Sequence, residues 1–190
     1  MAGSHRSYNL DVRWFTRERY EDPDFDDWDS VVSGYWAYIS SIRDGLPPDL
    51  RRFLELNLHD AVIDVAEIDL VQRTARIRFL AGDGASFIEC RYDDADFGNS
   101  DLRNLEVAVE ARVPYRDMSG AVLDWRPLAN VLYDEVTRLN GRFQHSFLIY
   151  PVGDFAVTFG GFALSVEAAN ESALPERNAR YSLRNEWDER

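Results

Sequence analysis

The chain has 190 residues and a mass of 21.9 kDa, which fits one domain with a hydrophobic core of its own. Hydrophobic residues make up 45% of it, too many for a disordered chain, and no apolar run is long enough to cross a bilayer. The N-terminus lacks the apolar stretch of a signal peptide, and the single cysteine, Cys90, excludes an internal disulfide. These features predict a cytoplasmic protein.

The charge of the chain is one-sided. All 21 cationic side chains are arginines, whereas aspartate and glutamate together number 34, which gives a net charge of −13. The absence of lysine excludes a P-loop lysine, a Schiff base and a lysine general base. An acidic surface repels nucleic acid and anionic lipid and attracts basic proteins, so we expect a basic protein partner, no nucleic acid and no membrane. The alternative is that the acidity serves only solubility.

The N-terminal part is predicted to be helical. Residues 1–11 are polar and are expected to be disordered or a cloning remnant, and residues 12–15 are predicted to form a short strand. Apolar residues then recur at steps of three and four between Trp28 and Ile42, which predicts an amphipathic helix that ends at Gly45. A second helix is predicted over Asp49–Leu56, with Asp49 as its N-cap. Six acids precede or begin the first helix and form a candidate acidic patch: Glu21, Asp22, Asp24, Asp26, Asp27 and Asp29.

The rest of the chain is predicted to be mostly β-structure, because apolar residues recur there with a period of two. The expected order is three strands, a loop, a fourth strand and a long connection: Ala61–Leu70, Ala75–Leu80, Ser86–Tyr92, Tyr92–Asp101, Leu105–Val113 and Pro114–Asn130. Four strands of a meander follow: Val131–Leu139, Arg142–Tyr150, Phe155–Phe159 and Phe162–Val166. The predicted fold is α+β, with N-terminal helices packed on a mainly antiparallel sheet of about six to seven strands. It comprises a single domain over residues 12–169 and a polar C-terminal tail over residues 170–190.

The turn Asn140-Gly141 sets the register of the hairpin, because these residues favour a two-residue type I′ turn. Counting back from the turn, Val136 faces His145, Asp134 faces Phe147 and Leu132 faces Ile149. Asp134 and His145 therefore share one apolar face as diagonal neighbours. A hydrogen bond between them would satisfy two groups that are costly to bury, whereas a functional pair would use the carboxylate to orient the imidazole as a base.

His59-Asp60 lies where the second helix gives way to the first long strand. Capping of that junction is the structural interpretation. A metal site would combine His59 and His145 with Asp60, Asp134 or Glu135, but no metal-ligand spacing occurs in the chain. We therefore predict neither a metal nor a cofactor, and we expect Cys90 to be a small buried apolar residue.

Several motifs resemble a β-rich bacterial domain family. They are the "LHDA" of residues 58–61, the "YDE" of residues 133–135, the "FQHSFL" of residues 143–148, the closing strands of residues 155–166 and the "WFT" of residues 14–16. Members of this family resemble immunity proteins of bacterial polymorphic-toxin systems, which bind and neutralise a cognate toxin. The resemblance implies a helix-plus-antiparallel-sheet fold and a binding role, and it matches the family pattern at candidate binding residues His59, Asp60, Tyr133, Asp134, Glu135 and His145.

The sequence therefore favours an acidic, non-catalytic protein-binding module, such as an immunity-type protein for a basic toxin, whose acidic surface is Glu21–Asp29 or Asp93–Asp101. Two alternatives stay open. One is a scaffold or oligomer subunit, and the other is a small metal-dependent hydrolase that uses His59, His145 and Asp134. The oligomeric state does not follow from the sequence.

Overall fold

A computed structural model describes residues 13–98, 100–169 and 179–185. Within these residues, the chain forms an α+β fold with four α-helices and ten strands. The helices are α1 (Arg17–Glu21), α2 (Trp28–Ile42), α3 (Pro48–Phe53) and α4 (Leu102–Glu110), and a 3-10 turn follows α2 at Arg43–Gly45. The first five strands are β1 (Val62–Asp69), β2 (Thr74–Leu80), β3 (Ser86–Asp93), β4 (Arg112–Arg116) and β5 (Val122–Pro127). The last five are β6 (Asn130–Leu139), β7 (Arg142–Tyr150), β8 (Gly153–Phe159), β9 (Gly161–Ala168) and β10 (Arg180–Arg184).

The strands form three sheets. The largest has the order β10-β1-β2-β3-β9, with β10 parallel to β1 and every other pair antiparallel. The second is the antiparallel sheet β6-β7-β8, and the third is the isolated hairpin β4-β5. The predicted α+β class and the mainly antiparallel pairing are therefore confirmed, but the predicted meander of six to seven strands is only partly matched, because the ten described strands are divided among three sheets.

The core lies between the five-stranded and three-stranded sheets. Phe79 packs on Phe147 with ring centroids 5.5 Å apart, and Tyr92 packs edge-on against Phe159 at 5.1 Å. Backbone hydrogen bonds join the sheets at both edges, since Asp60 N–H donates to the Val131 carbonyl and Thr158 N–H donates to the Asp96 carbonyl, each at 2.8 Å. The inner faces are consequently closed off from solvent.

The predicted helix α2 is confirmed, and it packs on β6. Its buried residues Val31, Tyr35 and Ile39 lie four residues apart on one face, as the periodicity requires. The phenol oxygen of Tyr35 also accepts a hydrogen bond of 2.8 Å from the backbone N–H of Val136. The shorter helix α3 begins at Pro48 rather than after Asp49 and ends at Phe53. Asp49 is therefore not its N-cap; its Oδ2 accepts from the Leu164 N–H instead.

The prediction of a strand over Leu105–Val113 is wrong up to residue 110. Asp101 caps the helix α4 through its side chain, and Leu105, Ala108 and Val109 are its buried residues. The sequence alternates apolar and polar residues there, which fits a strand, but Leu105, Ala108 and Val109 also fall on one face of a helix. The sheet edge β1–β10 offers the surface that this helical face covers.

The predicted connection Pro114–Asn130 is also wrong, because it holds most of the hairpin β4-β5. Its turn is closed by Asp117, whose Oδ1 accepts from the N–H groups of Ser119 and Ala121. Gly120, with φ of 86°, takes the left-handed conformation that this turn needs.

The β6-β7 hairpin has the predicted turn, with φ of 50° at Asn140 and 83° at Gly141. The pairing of Val136 with His145 is confirmed, but a bulge at Leu132 places Val131 rather than Leu132 opposite Ile149. The step from β8 to β9 is not a hairpin, because β9 leaves this sheet and pairs with β3.

The termini differ from expectation where the structure describes them. Arg13–Phe15 does not form the predicted strand. Residues 180–184, which the sequence placed in the tail, form β10 at the edge of the large sheet. The expectations for residues 1–12 and for 170–178 and 186–190 lie outside the described residues.

Candidate functional site

The pair predicted from the hairpin register is formed. His145 on β7 and Asp134 on β6 project from the same face of the three-stranded sheet, and His145 Nε2 lies 3.1 Å from Asp134 Oδ2. On the other side of the ring, His145 Nδ1 lies 2.9 Å from the hydroxyl of Tyr92 on β3. The imidazole therefore links the two sheets.

The partners of His145 define its proton positions. A carboxylate only accepts hydrogen bonds, so Nε2–H donates to Asp134. Burial raises the pKa of Tyr92 well above its usual range, so its hydroxyl keeps its proton. That hydroxyl can donate to Nδ1, so each ring nitrogen of His145 has a hydrogen-bond partner.

The ring of His145 is also sealed. The side chain is fully buried. The centroid of its ring lies 4.7 Å from that of Phe53 on α3 and 4.0 Å from that of Phe147 on its own strand. Only Asp134 reaches the surface, with 21% of its side chain exposed. The pair resembles a structural tie more than a base held ready for a substrate.

Glu135 and Tyr133 point to the other face of β6 and hold the N-terminal segment. The buried carboxylate of Glu135 accepts hydrogen bonds from the backbone N–H groups of Arg13, Trp14 and Phe15, at 2.8 to 3.2 Å. Burial raises the pKa of Glu135, and these N–H donors only partly offset it. Tyr133 stacks on the Phe15 ring at 4.9 Å. Both residues are thus occupied by internal contacts.

His59 and Asp60 form a separate, exposed pair. His59 Nδ1 lies 3.1 Å from Asp60 Oδ2, and Asn130 Nδ2 donates to Asp60 Oδ1 at 2.8 Å. The pair borders an open cleft of about 430 Å³ that also contains Asp83 and Ser86. Within the described ranges, no three His, Cys, Asp or Glu side chains come together in a way that could hold a metal ion. The site that the hydrolase hypothesis needs is therefore not assembled from His59, His145 and Asp134.

The acidic segment, which we define as Glu21–Asp29, lies on the surface between α1 and α2. All six of its acids are exposed. Glu21 lies 3.8 Å from Arg17, and Asp22 accepts from the backbone N–H of Asp24. In the described part of the chain, Asp24, Asp26, Asp27 and Asp29 have no cationic partner. Three exposed apolar side chains flank the segment along the helices: Tyr20, Val32 and Trp36.

The other acidic stretch, Asp93–Asp101, differs because three of its carboxylates have partners within the chain. Asp94 forms ion pairs with Arg73 at 2.7 Å and with Arg142 at 3.1 Å. Asp96 accepts from the Gly98 N–H, and Asp101 caps α4. Among the described residues, Asp93, Asp96 and Asp101 also lack a cationic partner, but the acidic segment Glu21–Asp29 has four such carboxylates and therefore more unpaired charge.

Two features escaped the sequence analysis. One is the hairpin β4-β5 with its exposed apolar side chains, for which the turn residues Asp117 and Gly120 are the local signal. The other is Asp64, a fully buried carboxylate whose Oδ2 accepts from Arg78 Nε at 2.7 Å. The alternating pattern of β1 contained no signal that Asp64 sits at a bulge.

Comparison of the sequence with protein-family models gives no matching family, and comparison with curated proteins gives no match either. None of the helices in the described ranges is long and apolar enough to span a membrane.

Proposed function

We propose that the protein is a non-catalytic binding module that receives a basic protein partner on its acidic segment, in the manner of an immunity protein that neutralises its toxin. The observation that carries this proposal is the set of exposed carboxylates at Asp24, Asp26, Asp27 and Asp29, which have no cationic partner among the described residues. A cationic surface would find there both charge and the exposed apolar side chains Val32 and Trp36. A cytoplasmic location is part of the proposal.

The chemistry-bearing residues support a binding role over a catalytic one. Both ring nitrogens of His145 are hydrogen-bonded, to Tyr92 and to Asp134. The carboxylate of Glu135 accepts hydrogen bonds from three backbone N–H groups. Side chains whose hydrogen bonds are all made inside the protein stabilise the fold. Binding to a partner therefore depends on the residues at the surface.

Charge on the surface makes the proposal testable through association kinetics. Complementary charge speeds encounter, and salt weakens the effect because it screens exposed charges. We therefore expect binding that is fast at low salt and slows as salt rises.

The experiment uses the purified product of an adjoining reading frame, passed over the immobilised full chain at low and high salt. The test variant is Asp24→Asn with Asp26→Asn and Asp27→Asn, whose side chains form no contacts that the fold needs. The control variant is Glu106→Gln with Glu110→Gln and Glu167→Gln, which removes the same charge from exposed positions elsewhere.

The proposal expects the association rate to fall roughly tenfold in the test variant and little in the control. An equal loss in both variants would show that only net charge matters. No binding to the wild-type chain, or undiminished binding to the test variant, would contradict the proposal outright.

A further inference from the structure

The hairpin β4-β5 exposes apolar side chains on both of its faces. The exposed residues are Val113, Tyr115, Met118, Val122, Leu123 and Trp125. Tyr115 lies opposite Asp124 on one face, whereas Trp125 lies opposite Pro114 on the other, because successive side chains alternate. A two-stranded hairpin is marginally stable alone in water, and clustered exposed apolar residues mark contact surfaces.

The edges of this hairpin are unsuited to pairing with another strand. Leu128 N–H donates to the Ala111 carbonyl, so by alternation the pair Pro114–Trp125 turns its backbone groups outward. Pro114 has no N–H to offer on the β4 edge. On the β5 edge, the N–H of Trp125 is already bonded to its neighbour Asp124 at 2.7 Å. A partner must therefore contact the faces of the hairpin rather than extend its sheet.

The hairpin has a small net positive charge, although the whole chain is acidic. Residues 112–127 contain three arginines and two aspartates. The Arg126 guanidinium lies 3.7 Å from the Tyr115 ring centroid, and Arg116 Nη1 donates to the Gly120 carbonyl. In the described part of the chain, neither Arg116 nor Arg126 pairs with a carboxylate. Arginine beside exposed aromatic rings suits a partner surface that combines carboxylates with apolar groups.

This chain itself carries such a surface. The acidic segment presents unpaired carboxylates beside Val32 and Trp36, which complement the arginines and aromatic rings of the hairpin. We propose that the hairpin β4-β5 docks face-on against the acidic segment of a second copy of this chain. Two such contacts, exchanged reciprocally, would close a dimer with two-fold symmetry. The inference shares the acidic segment with the proposed function but does not require a basic partner, and it makes self-association and partner binding mutually exclusive.

The test measures the mass of the full chain by sedimentation velocity over a range of concentrations at low and high salt. The hairpin variant is Tyr115→Ser with Leu123→Ser and Trp125→Ser, which removes exposed apolar side chains from both faces. Its control is Val71→Ser, an exposed apolar residue on the β1-β2 turn. The acidic variant is again Asp24→Asn with Asp26→Asn and Asp27→Asn, and its control is Glu106→Gln with Glu110→Gln and Glu167→Gln.

The wild type and both controls should form a dimer that salt weakens, and the hairpin and acidic variants should each self-associate roughly tenfold or more weakly. A mixture of the two variants should regain dimer, because one intact hairpin then meets one intact acidic segment. This recovery excludes a contact between two hairpins.

A wild type that stays monomeric at every concentration overturns the inference, and so does a dimer that survives the hairpin substitutions. Loss of the dimer in the hairpin variant but not in the acidic variant also overturns it, because the hairpin then docks elsewhere. Binding of the basic partner by the monomeric hairpin variant is measured separately, so failure of self-association is distinguishable from failure of the proposed function.

Discussion

The outer face of the five-stranded sheet and the hairpin β4-β5 are both exposed β-surfaces, yet they are completed in opposite ways. On the sheet, Arg76 reaches Glu67 on one neighbouring strand and Glu89 on the other, at 2.9 and 2.7 Å. Arg91 and Arg180 extend this row of ion pairs at its two ends. On the hairpin, neither Arg116 nor Arg126 pairs with a carboxylate of the described residues, and the apolar side chains stay exposed.

The comparison shows that charge content alone does not identify a binding surface. On the sheet, charged side chains of neighbouring strands form ion pairs with one another, so few of them are free to bind a partner. The hairpin has too few strands to do the same, and its unpaired groups gain most from an external contact. Substitutions on the sheet should therefore cost stability, whereas substitutions on the hairpin should cost association.

The largest expected effect is at Arg78, which pairs with the buried Asp64. The substitution Arg78→Met leaves that carboxylate without its partner, so we expect a loss of about 3–5 kcal/mol in the free energy of unfolding at neutral pH. Urea unfolding of the variant and the wild type measures it.

The loss at Arg78 should shrink in acid. Burial raises the pKa of Asp64 in the folded protein, and Arg78 acts to lower it. Removing Arg78 raises that pKa further, so the folded variant takes up a proton before the unfolded chain does, and the stability gap narrows as pH falls towards the usual Asp pKa. A gap that stays constant or widens between neutral and mildly acidic pH would contradict this account.

The next effect concerns the inner face, where His145 ties the two sheets. The substitution His145→Ala removes two hydrogen bonds and opens a cavity, for an expected loss of about 2–4 kcal/mol. A double-mutant cycle with Asp134→Ala should show coupling, because each residue is the other's partner. If the two losses of unfolding free energy were additive, or if the unfolding midpoint did not change, the pair would have no structural role.

A smaller loss is expected at Glu89 on the outer face. Burial acts to raise the pKa of Glu89, but hydrogen bonds from Arg76 and Arg91 outweigh it and hold the pKa below its usual range. This contribution is therefore present at neutral pH and is lost as pH falls through the lowered pKa. For Glu89→Gln, we expect about 1–2 kcal/mol at neutral pH and a smaller difference in acid, by urea unfolding. Equal differences at both pH values would contradict it.

The sequence predicted what depends on neighbours in the chain. The helix α2, the turn at Asn140-Gly141 and the meeting of Asp134 with His145 all follow from local periodicity and from the register of one hairpin. The order of β6, β7 and β8 follows in the same way, since short turns join antiparallel neighbours.

What failed depends on distant parts of the chain. The residues of α4 also suited a strand, and the edge β1–β10, which exists once the sheet has formed, adds to the local signal of the Asp101 cap in favour of the helix. Tyr92 is 53 residues from His145, so no local register could pair them. The exposure of the hairpin β4-β5 is likewise a tertiary property. Its apolar residues look the same in the sequence whether another element covers them or not.

The smallest expected effect on the free energy of unfolding is at Trp125, on the hairpin. Because 54% of this side chain is exposed, Trp125→Ser should change the free energy of unfolding by no more than about 0.5 kcal/mol. Urea unfolding at a concentration where the chain is monomeric measures this, with Val71→Ser as the exposed control. A loss comparable to that of Glu89→Gln would mean that the hairpin packs on its own molecule. An unchanged urea midpoint together with weakened self-association would mean that Trp125 contacts another molecule rather than its own.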